Sequence, residues 1–541
     1  MNTKYIFLTG GVISGVGKGI TAASIGKILQ SRGLEVTSMK IDPYVNVDAG
    51  TMNPTEHGEV FVLNDGTECD QDMGNYERFL GRDLSGKNYM TTGSIYLDVI
   101  QKERRMEYKG KCVEVVPQVP LAIIEKIDNA AKIAKADVVI VEIGGTVGEY
   151  QNILFLEAIR MLKFKKPDDV ILTLVSLLPT LPAGGNEIKS KPTQYAVRTL
   201  NAAGLQPDFI VGRAKIPMDD KRKSTIALNC NMDIRDIISA PNVSDIHEIP
   251  LNFEKDHLSD RILEKLKIKS KKRDLTEWKK MVARSQNAKK TVKIGMVGKY
   301  FGSGNFVLTD SYVSIIESLR HAGAANDAMV ELDWIDAEEF EKDPKSIKKM
   351  IGDQDGIIIP GGFGSRGVEG KISAIKYARE HKIPFLGLCY GMQLATIEFA
   401  RDVAGLKDAH TTEVNPKTAH PVIHIMPDQE KKMLENSYGG TMRLGAYPCK
   451  LAEGTRTAKA YGKKNISERH RHRFEFNNEY RDLLTKKGLV ISGTSPDDLL
   501  VEIIELKNHP FFIATQFHPE FLSRPLNPHP LFVEFIHSSL K

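Results

Sequence analysis

The chain has 541 residues, of which 41% are hydrophobic and 26% are charged. This composition is ordinary for globular domains and excludes disordered and fibrous proteins, and at roughly 150 residues per domain the length predicts two to four domains. Because 74 Lys and Arg are balanced by 69 Asp and Glu, the net charge of +5 gives no reason to expect a nucleic-acid partner.

The five cysteines have no CxxC spacing, which indicates a reducing compartment and no structural zinc site. The apolar stretch within Met1–Thr9 is too short for a signal peptide. No segment approaches the roughly 20 apolar residues that span a bilayer. We therefore expect a cytoplasmic protein with no membrane partner.

The first predicted elements are a strand over Tyr5–Leu8, a glycine turn and a helix. Further short apolar runs follow, separated by stretches with helical periodicity. They lie at Val36–Ile41, Val138–Ile143, Val170–Leu178 and Phe209–Val211. This alternation predicts a doubly wound parallel sheet.

The glycine turn after the first strand carries Lys18 at the start of the predicted helix. Backbone N–H groups and the helix dipole can hold phosphate there. The strict pattern G-x4-G-K-[ST] fails, because Val12 stands at the first glycine and Gly19 replaces the hydroxyl residue. We interpret the segment as a variant phosphate loop, and a glycine turn without a ligand is the alternative.

A phosphate loop without its hydroxyl needs other oxygens for Mg²⁺, which prefers one or two carboxylates together with phosphates and water. Asp72 and Glu142 are the candidates, and Glu142 ends an apolar run where an unpaired charge would be costly to bury. A structural salt bridge is the alternative. Lys40 and the lysines within 189–194 could supply further charge facing phosphate, although such lysines are more often surface residues.

Between about Leu266 and Lys290 the chain becomes rich in Lys and Arg and poor in apolar residues. We interpret this stretch as a solvated, partly helical linker. A basic stripe for nucleic acid is disfavoured because no aromatic residues are interleaved. The apolar run Val292–Val297 then begins a second α/β series, so the predicted domains are residues 1–266 and 291–541, with a linker over 267–290.

In the second half, Cys389 lies between Gly387 and Gly391 at a predicted strand-to-helix turn, which is typical of a nucleophile elbow. The helix N-terminus favours thiolate over thiol. A buried cysteine with no catalytic role is the alternative.

The remaining parts of a thiol hydrolase follow two other predicted strands. His518 could act as the base, and Glu520, on the same face of an extended chain, could orient its imidazole. Gly361 and Gly362 could supply N–H groups for an oxyanion hole. Together with Cys389, these residues predict a Cys–His–Glu site.

A thiol hydrolase and an ATP site in one chain suggest that ammonia is released from an amide and used on a phosphate-activated oxygen. The whole chain resembles the CTP synthases, glutamine-dependent amidotransferases that convert UTP to CTP. The resemblance rests on long motifs at residues 9–11, 40–44, 57–60, 76–79, 141–148, 191–194, 440–445 and 468–473.

The resemblance implies a P-loop-type, dethiobiotin-synthetase-like parallel-sheet synthetase domain followed by a class I glutamine amidotransferase α/β domain. It also implies the last step of de novo CTP synthesis, in which ATP phosphorylates the uracil 4-oxygen and ammonia from L-glutamine displaces that phosphate. Mg²⁺, activation by GTP, feedback inhibition by CTP and a homotetramer are implied as well. Filament formation is compatible with catalysis.

The resemblance also implies roles for individual residues. The ATP-binding residues would be Gly15, Val16, Gly17, Lys18, Gly19, Ile20, Lys40, Asp72, Pro241, Asn242 and Val243, with Asp72 and Glu142 holding Mg²⁺. The UTP- or CTP-binding residues would be Ser14, Glu149, Tyr150, Gln151, Lys189, Ser190, Lys191, Pro192, Thr193, Gln194 and Thr225. The glutamine-binding residues would be Gly362, Tyr390, Gly391, Met392, Gln393, Glu413 and Arg473, with Cys389, His518 and Glu520 as the catalytic triad.

Three positions depart from the family pattern. Gln151 stands where an acidic contact to the pyrimidine nucleotide is usual, and Thr225 replaces a lysine, with Lys223 two residues earlier. Tyr390 replaces the more usual leucine after the nucleophile, and we expect its backbone N–H to matter more than its ring.

Two other functions fit parts of the sequence. A cobyrate-type synthetase also joins a variant phosphate loop to a glutaminase, but it would have no use for a uracil pocket at residues 189–194. A polymer-forming or partitioning ATPase with a vestigial glutaminase would not need an intact Cys389, His518 and Glu520.

Overall fold

The computed structural model describes residues 2–540 except 181–186, 271–272, 300–301, 304–305, 308, 427–428 and 430–439. It divides into two compact units. The first comprises Met1–Ala49 and Asp72–Lys279, and the second comprises Gly50–Gln71 and Lys280–Lys541. Residues 50–71 therefore belong to the second unit although they lie within the first half of the sequence.

The described strands and α-helices are numbered in chain order. The strands are β1 (Lys4–Gly11), β2 (Val36–Asp42), β3 (Val60–Val62), β4 (Glu68–Asp70), β5 (Tyr89–Thr91), β6 (Val138–Ile143), β7 (Val170–Leu177), β8 (Phe209–Ala214), β9 (Ile237–Pro241), β10 (Lys290–Gly298), β11 (Gly302–Ser303), β12 (Phe306–Val307), β13 (Ala328–Asp336), β14 (Gly356–Ile359), β15 (Phe385–Leu388), β16 (Ala409–Thr411), β17 (His420–Ile425), β18 (Arg443–Leu451), β19 (Asn465–His472), β20 (Phe474–Phe476), β21 (Leu489–Thr494), β22 (Val501–Leu506) and β23 (Phe512–Thr515). The helices are α1 (Lys18–Gln30), α2 (Pro54–His57), α3 (Asp72–Leu80), α4 (Thr92–Arg104), α5 (Val115–Ala134), α6 (Ile153–Lys165), α7 (Lys191–Ala202), α8 (Asp220–Cys230), α9 (Ile249–Lys255), α10 (Leu258–Lys265), α11 (Thr276–Gln286), α12 (Val313–Ala325), α13 (Ala337–Lys342), α14 (Ser346–Ile351), α15 (Val368–His381), α16 (Tyr390–Asp402), α17 (Arg456–Tyr461), α18 (Arg481–Lys486) and α19 (Pro530–Ser539).

The first unit is built on a seven-stranded sheet in the order β5-β2-β6-β1-β7-β8-β9. Its neighbouring strands are all parallel, so the predicted doubly wound parallel sheet is confirmed. Glu142 on β6 pairs with Lys40 on β2 and with Leu8 on β1. This register brings the two predicted charged residues together at the carboxyl end of the sheet, where open α/β sheets bind ligands.

The second unit is built on a nine-stranded sheet in the order β13-β10-β14-β15-β23-β22-β21-β18-β19. The first five strands in this order are parallel to one another. The remaining neighbouring pairs, from β23–β22 to β18–β19, are antiparallel. Leu388 on β15 pairs with Thr515 on β23. The residues that follow these two strands, Cys389 and Gln516, therefore emerge side by side.

Residues 50–71 form α2 and the antiparallel pair β3–β4. Strand β3 packs on β19, and the Ala446 N–H on β18 donates to the Asn64 carbonyl at 2.9 Å. Arg469 donates to the Asn64 side chain at 2.6 Å and to the Val62 carbonyl at 3.1 Å, while Arg471 donates to Glu68 at 2.8 Å. These contacts join residues that lie far apart in sequence. The predicted domain boundaries, which place residues 50–71 in the first domain, did not anticipate them. Those boundaries stay a prediction.

The basic stretch after residue 266 contains a helix, as predicted, because α11 lies within it. The expectation that the stretch is solvated is wrong at Trp278, which is buried and packs against Phe79 and His247. Its indole N–H donates to the His247 carbonyl at 2.8 Å. A large apolar ring thus anchors the beginning of α11 in the first unit.

Among the described helices, none is both long enough and apolar enough to cross a membrane.

Candidate functional site

The glycine loop after β1 has the backbone of an anion cradle. Val12, Gly15 and Gly17 have φ angles of 80°, 69° and 87°, and α1 begins at Lys18. The Lys18 amine is buried and donates to the Gly145 carbonyl at 2.8 Å. Burial lowers the pKa of this amine, so a phosphate at the loop would meet a lysine that has already lost most of its water.

The surroundings of Gly19 explain one of the two departures from the strict phosphate-loop pattern, the missing hydroxyl residue. A Cβ atom at this position would lie 1.8 Å from the Asp72 Oδ1 atom, which is far inside van der Waals contact. The carboxylate of Asp72 therefore fills the space that a Ser or Thr would need, and an acidic oxygen lies where the strict pattern places a hydroxyl.

Lys40 joins the two predicted metal ligands. Its amine donates to Asp72, lies 3.2 Å from Glu142 Oε1, and lies 3.7 Å from Asp42. Burial raises the pKa of Glu142, and the Asp72 charge adds to this shift. Burial also opposes ionisation of Asp72, but the Lys40 ammonium holds its pKa below the ordinary value. The structure thus contains the salt bridge that was the alternative interpretation, in a place where a metal ion could exchange with the amine.

The predicted pyrimidine-nucleotide residues 149–151 follow β6 and lie near the phosphate loop. Glu149 accepts hydrogen bonds from the Thr146 backbone at 2.9 Å and from the Gln151 amide at 2.5 Å. A Cβ atom on Gly145, the partner of Lys18, would lie 2.8 Å from Glu149. Tyr150 and Ser14 are exposed. The neutral Gln151 side chain is thus hydrogen-bonded to the Glu149 carboxylate.

The predicted stretch 189–194 leads into α7, which packs beside the end of β1. The Thr193 hydroxyl is 2.8 Å from the Ser176 hydroxyl on β7, and the Gln194 amide donates to Ser190 at 3.0 Å. A Cβ atom on Gly11 would lie 2.8 Å from Ala196 on α7. This part of the predicted pyrimidine site therefore lies at the same edge of the sheet as the phosphate loop.

Thr225 lies on the exposed face of α8, and its hydroxyl donates to the Lys221 carbonyl at 2.9 Å. The nearby Lys223 amine donates to Asp256 at 2.7 Å. Its charge is therefore neutralised within the fold, which argues against compensation for the lysine that the family usually has at position 225.

Arg213 is a functional candidate that sequence reasoning missed. Its guanidinium donates to the Pro241 carbonyl at 3.2 Å and to the Asn242 side chain at 3.3 Å. Its Nε atom would lie 3.6 Å from a Cβ atom on Gly17. Arg213 thus connects the predicted adenine segment to the phosphate loop, and its place at the carboxyl end of β8 was the signal that could have indicated it.

In the second unit, Cys389 lies between β15 and α16 with φ 49° and ψ −97°. A non-glycine residue at positive φ is strained, and such strain is concentrated at active sites. The flanking glycines permit the turn, because a Cβ atom on Gly391 would lie 2.4 Å from the Ile359 carbonyl and one on Gly387 would lie 2.9 Å from Ala514. The structure therefore has the sharp strand-to-helix corner that the sequence predicts.

His518 and Glu520 meet, with His518 Nδ1 2.7 Å from Glu520 Oε1. The contact forms at the start of a short 3-10 helix, Pro519–Leu522. The expectation of an extended chain from His518 to Glu520 is therefore wrong, although the two side chains do pair. Burial lowers the pKa of His518, but the Glu520 charge and the neighbouring Cys389 raise it to about 10. The site therefore favours an imidazolium beside the sulfur.

The other predicted glutamine-site residues surround the loop after β14. The Tyr390 hydroxyl donates to the Gly364 carbonyl at 2.7 Å, and the Gly364 N–H donates to Glu413 at 2.8 Å. Arg473 donates to the Gln429 and Thr441 side chains at 2.9 and 3.1 Å. The Tyr390 ring therefore has a structural role in addition to any role of its backbone N–H.

These residues line a cavity of about 890 Å³ within the second unit. The predicted residues on its wall are Gly362, Cys389, Gln393, Glu413, Arg473, His518 and Glu520. Tyr390 and Met392 instead belong to the buried core behind it. Sequence reasoning missed Gly50–Pro54, Glu59 and Val60, which reach this wall from the first half of the sequence.

Comparison with known proteins agrees with the presence of a synthetase site and a glutaminase site in one chain. Residues 4–268 match the family model for the CTP synthase N-terminus, and residues 307–538 match that for class I glutamine amidotransferases. A CTP synthase from Carboxydothermus hydrogenoformans is 54% identical over 540 residues, which is 100% of this chain and 99% of that protein. One from Geobacillus kaustophilus is 51% identical over 540 residues, covering 100% of both chains.

The chain belongs to the CTP synthase family. It is therefore a ligase with a synthetase part and a glutaminase part. A solved structure, the glutaminase domain of Trypanosoma brucei CTPS with bound acivicin, is 37% identical. It covers 46% of this chain and 93% of that chain with a TM-score of 0.43.

Replacing Glu520 with Gln keeps the shape of the side chain and removes its charge. Because this charge raises the pKa of His518, we expect the pKa in Glu520→Gln to fall from about 10 toward the ordinary histidine value. Glutaminase activity at neutral pH should fall by about 10²-fold or more. A pH titration of the His518 ring nitrogens by NMR measures the shift directly.

Glu453→Gln is the control, because Glu453 is exposed and pairs with Lys464. It should leave the titration of His518 unchanged. An unchanged midpoint in Glu520→Gln would contradict the charge pairing.

Proposed function

We propose that the chain aminates UTP to CTP in two linked reactions. The glutaminase site hydrolyses L-glutamine and releases ammonia. The synthetase site uses ATP to phosphorylate the 4-oxygen of UTP, and ammonia then displaces that phosphate. The observation that carries this proposal is the presence, in one chain, of a strained Cys389 beside a charged His518–Glu520 pair and of a phosphate loop beside paired carboxylates.

In the glutaminase reaction, the Cys389 thiolate attacks the amide carbon of glutamine, and a sulfur–carbon bond forms. His518 gives its proton to the leaving nitrogen as the carbon–nitrogen bond breaks, so the nitrogen departs as ammonia. Water then attacks the thioester with His518 as base, which releases glutamate and restores the thiolate. The N–H groups of Gly361 and Gly362, together with that of Tyr390, would stabilise the oxyanion.

The two ends of the glutamine substrate need opposite charges. Glu413 lies on the cavity wall and would bind the α-ammonium, while Arg473 would bind the α-carboxylate. Arg473 is held in place by Gln429 and Thr441. The backbone at Gly391 and Met392 and the side chain of Gln393 complete the proposed glutamine site.

In the synthetase reaction, the backbone of residues 15–20 would cradle the ATP phosphates, and Lys18 and Lys40 would neutralise their charge. Asp72 and Glu142 would hold Mg²⁺, which would supply positive charge to offset that of the phosphates. The fit is supported by the Asp72 carboxylate, which fills the hydroxyl position of the strict phosphate loop.

The nucleotide bases would be held on either side of the phosphate loop. Pro241, Asn242 and Val243 would line the adenine, and the contacts of Arg213 support this role. The pyrimidine nucleotide would contact the remaining predicted residues: Ser14, Glu149, Tyr150, Gln151, Lys189, Ser190, Lys191, Pro192, Thr193, Gln194 and Thr225.

Regulation and assembly follow the family resemblance. We propose that GTP activates the glutaminase, that CTP inhibits the enzyme, and that the protein works as a homotetramer in the cytoplasm.

The two reactions should be separable by mutation. Cys389→Ala removes the nucleophile, so glutamine-driven CTP formation should fall by at least about 10⁴-fold while ammonia-driven formation persists. Lys18→Ala should lower CTP formation from either nitrogen source by about 10²-fold or more and spare basal glutaminase activity. Loss of both activities in a folded single variant would overturn the assignment of independent sites.

Restoring the hydroxyl residue of the strict phosphate-loop pattern should damage the enzyme. In Gly19→Ser the new Cβ atom would displace the Asp72 carboxylate, so we expect ammonia-driven CTP formation to fall by about 10²-fold while basal glutaminase activity remains. Gly81→Ser is the control, because a Cβ atom there has no neighbour within 4 Å, and its φ of 64° adds a backbone strain that is absent at Gly19. Equal activity of Gly19→Ser and wild type would contradict the role given to Asp72.

A further inference from the structure

The sulfur of Cys389 has polar neighbours outside the triad. The Gln516 amide nitrogen lies 3.6 Å from Sγ, and the Arg471 carbonyl oxygen lies 3.8 Å from it. Gln516 is 1% exposed, and it follows β23 directly as Cys389 follows β15. The pairing of these two strands therefore fixes an amide group beside the nucleophile.

A second glutamine determines which end of the Gln516 amide faces the sulfur. The Gln393 amide nitrogen donates to the Phe474 carbonyl at 2.9 Å and to the Gln516 side-chain oxygen at 3.4 Å. Because Gln516 Oε1 accepts from Gln393, its amide N–H₂ group is directed at Cys389. Turning the amide over would lose this bond and place an oxygen lone pair against the sulfur.

We propose that Gln516 is a further catalytic residue of the glutaminase, whose amide N–H donates a hydrogen bond to the Cys389 thiolate. Gln393 acts as a positioning residue that fixes the orientation of this amide. The inference rests on the proposed role of Cys389 as the nucleophile, and it adds a donor to the sulfur that the triad does not supply.

The two neighbours of the sulfur serve different protonation states. The Arg471 carbonyl can only accept, so it interacts with the S–H group of the thiol. The Gln516 N–H can only donate, so it stabilises the thiolate once the proton has moved from sulfur to His518 Nε2. Hydrogen bonds to ionised groups are stronger than those between neutral groups, so the Gln516 donor gains more from the thiolate than the Arg471 acceptor loses, and it favours this proton transfer.

The same donor acts again when the thioester breaks down. Water adds to the acyl carbon, the sulfur–carbon bond breaks, and the electron pair returns to Sγ as thiolate. Negative charge therefore develops on the sulfur beside the Gln516 N–H. Removing this donor should slow thiolate formation at both stages while leaving the contacts to the ends of glutamine in place.

Gln516→Glu tests the proposal with little change of shape, since it replaces the N–H₂ group by a carboxylate oxygen. Gln516→Ala is a second variant that adds no charge. In both variants, iodoacetamide should alkylate Cys389 about tenfold more slowly at neutral pH. The plot of alkylation rate against pH should also shift to higher pH. The rate is measured on the Cys389 peptide by mass spectrometry, because Cys112 is exposed and reacts independently.

Steady-state kinetics separate this role from a structural one. The kcat of glutamine hydrolysis should fall by about tenfold while KM for glutamine changes little and ammonia-driven CTP formation stays at the wild-type level. Thr396→Val is the control, since Thr396 is equally buried on α16 but its hydroxyl donates to the Met392 carbonyl at 3.0 Å. It should leave the alkylation rate and kcat unchanged.

Wild-type alkylation rates in both Gln516 variants would overturn the inference, as would an equal loss in Thr396→Val. Failure of wild-type iodoacetamide labelling at Cys389 to block glutamine hydrolysis would instead overturn the proposed nucleophile itself. The two failures are therefore distinguishable.

Discussion

A buried thiol attacks an amide only as a thiolate, and a thiolate persists in an interior only beside positive charge or hydrogen-bond donors. The His518–Glu520 pair meets this condition, because the carboxylate keeps the imidazole protonated despite its burial. The strands and glycines around this pair support that arrangement. The parallel strands place Cys389 and His518 at one sheet edge, and Gly361 leaves room for the ring, since a Cβ atom there would lie 2.8 Å from His518.

The synthetase site follows the same physical rule for buried carboxylates. The Lys40 ammonium there holds the pKa of Asp72 below its ordinary value, while burial raises the pKa of Glu142. Lys40 lies between Asp72 and Glu142 because β2 and β6 pair in that register, and the Tyr76 hydroxyl donates to Glu142. Each buried charge thus has a partner of opposite sign or a hydrogen bond, as the cost of burying unpaired charge requires. A phosphate-bound cation could take the place of the amine.

The sequence was most informative where a function depends on residues close together in the chain. The G-x-C-x-G turn, the His518–Glu520 spacing and the glycine loop before Lys18 each predict a local geometry, and the structure contains each geometry except the extended chain expected at His518. Parallel-sheet topology followed from the order of apolar runs, because strands buried on both faces leave that pattern.

The features that sequence reasoning missed depend on contacts between distant segments. The absence of a hydroxyl at Gly19 was visible, but only the fold shows that Asp72 fills the space. Residues 50–71 join the second unit through arginines about four hundred residues away along the chain. No local sequence pattern indicates a contact between segments so far apart. Gln516 was visible within the Gln-Phe-His-Pro-Glu motif, but its direction toward sulfur depends on the pairing of β15 with β23.

The proposed function requires that nitrogen released at Cys389 becomes the amino group of CTP. The most direct measurement supplies glutamine labelled with ¹⁵N in its side-chain amide, together with UTP, ATP, Mg²⁺ and GTP, in a buffer with a trace of unlabelled ammonium. Mass spectrometry then follows the label in the nucleotide. The two linked reactions should give CTP that carries one ¹⁵N atom, formed at the same rate as glutamate. Hydrolysis of the labelled glutamine with no labelled CTP would contradict it.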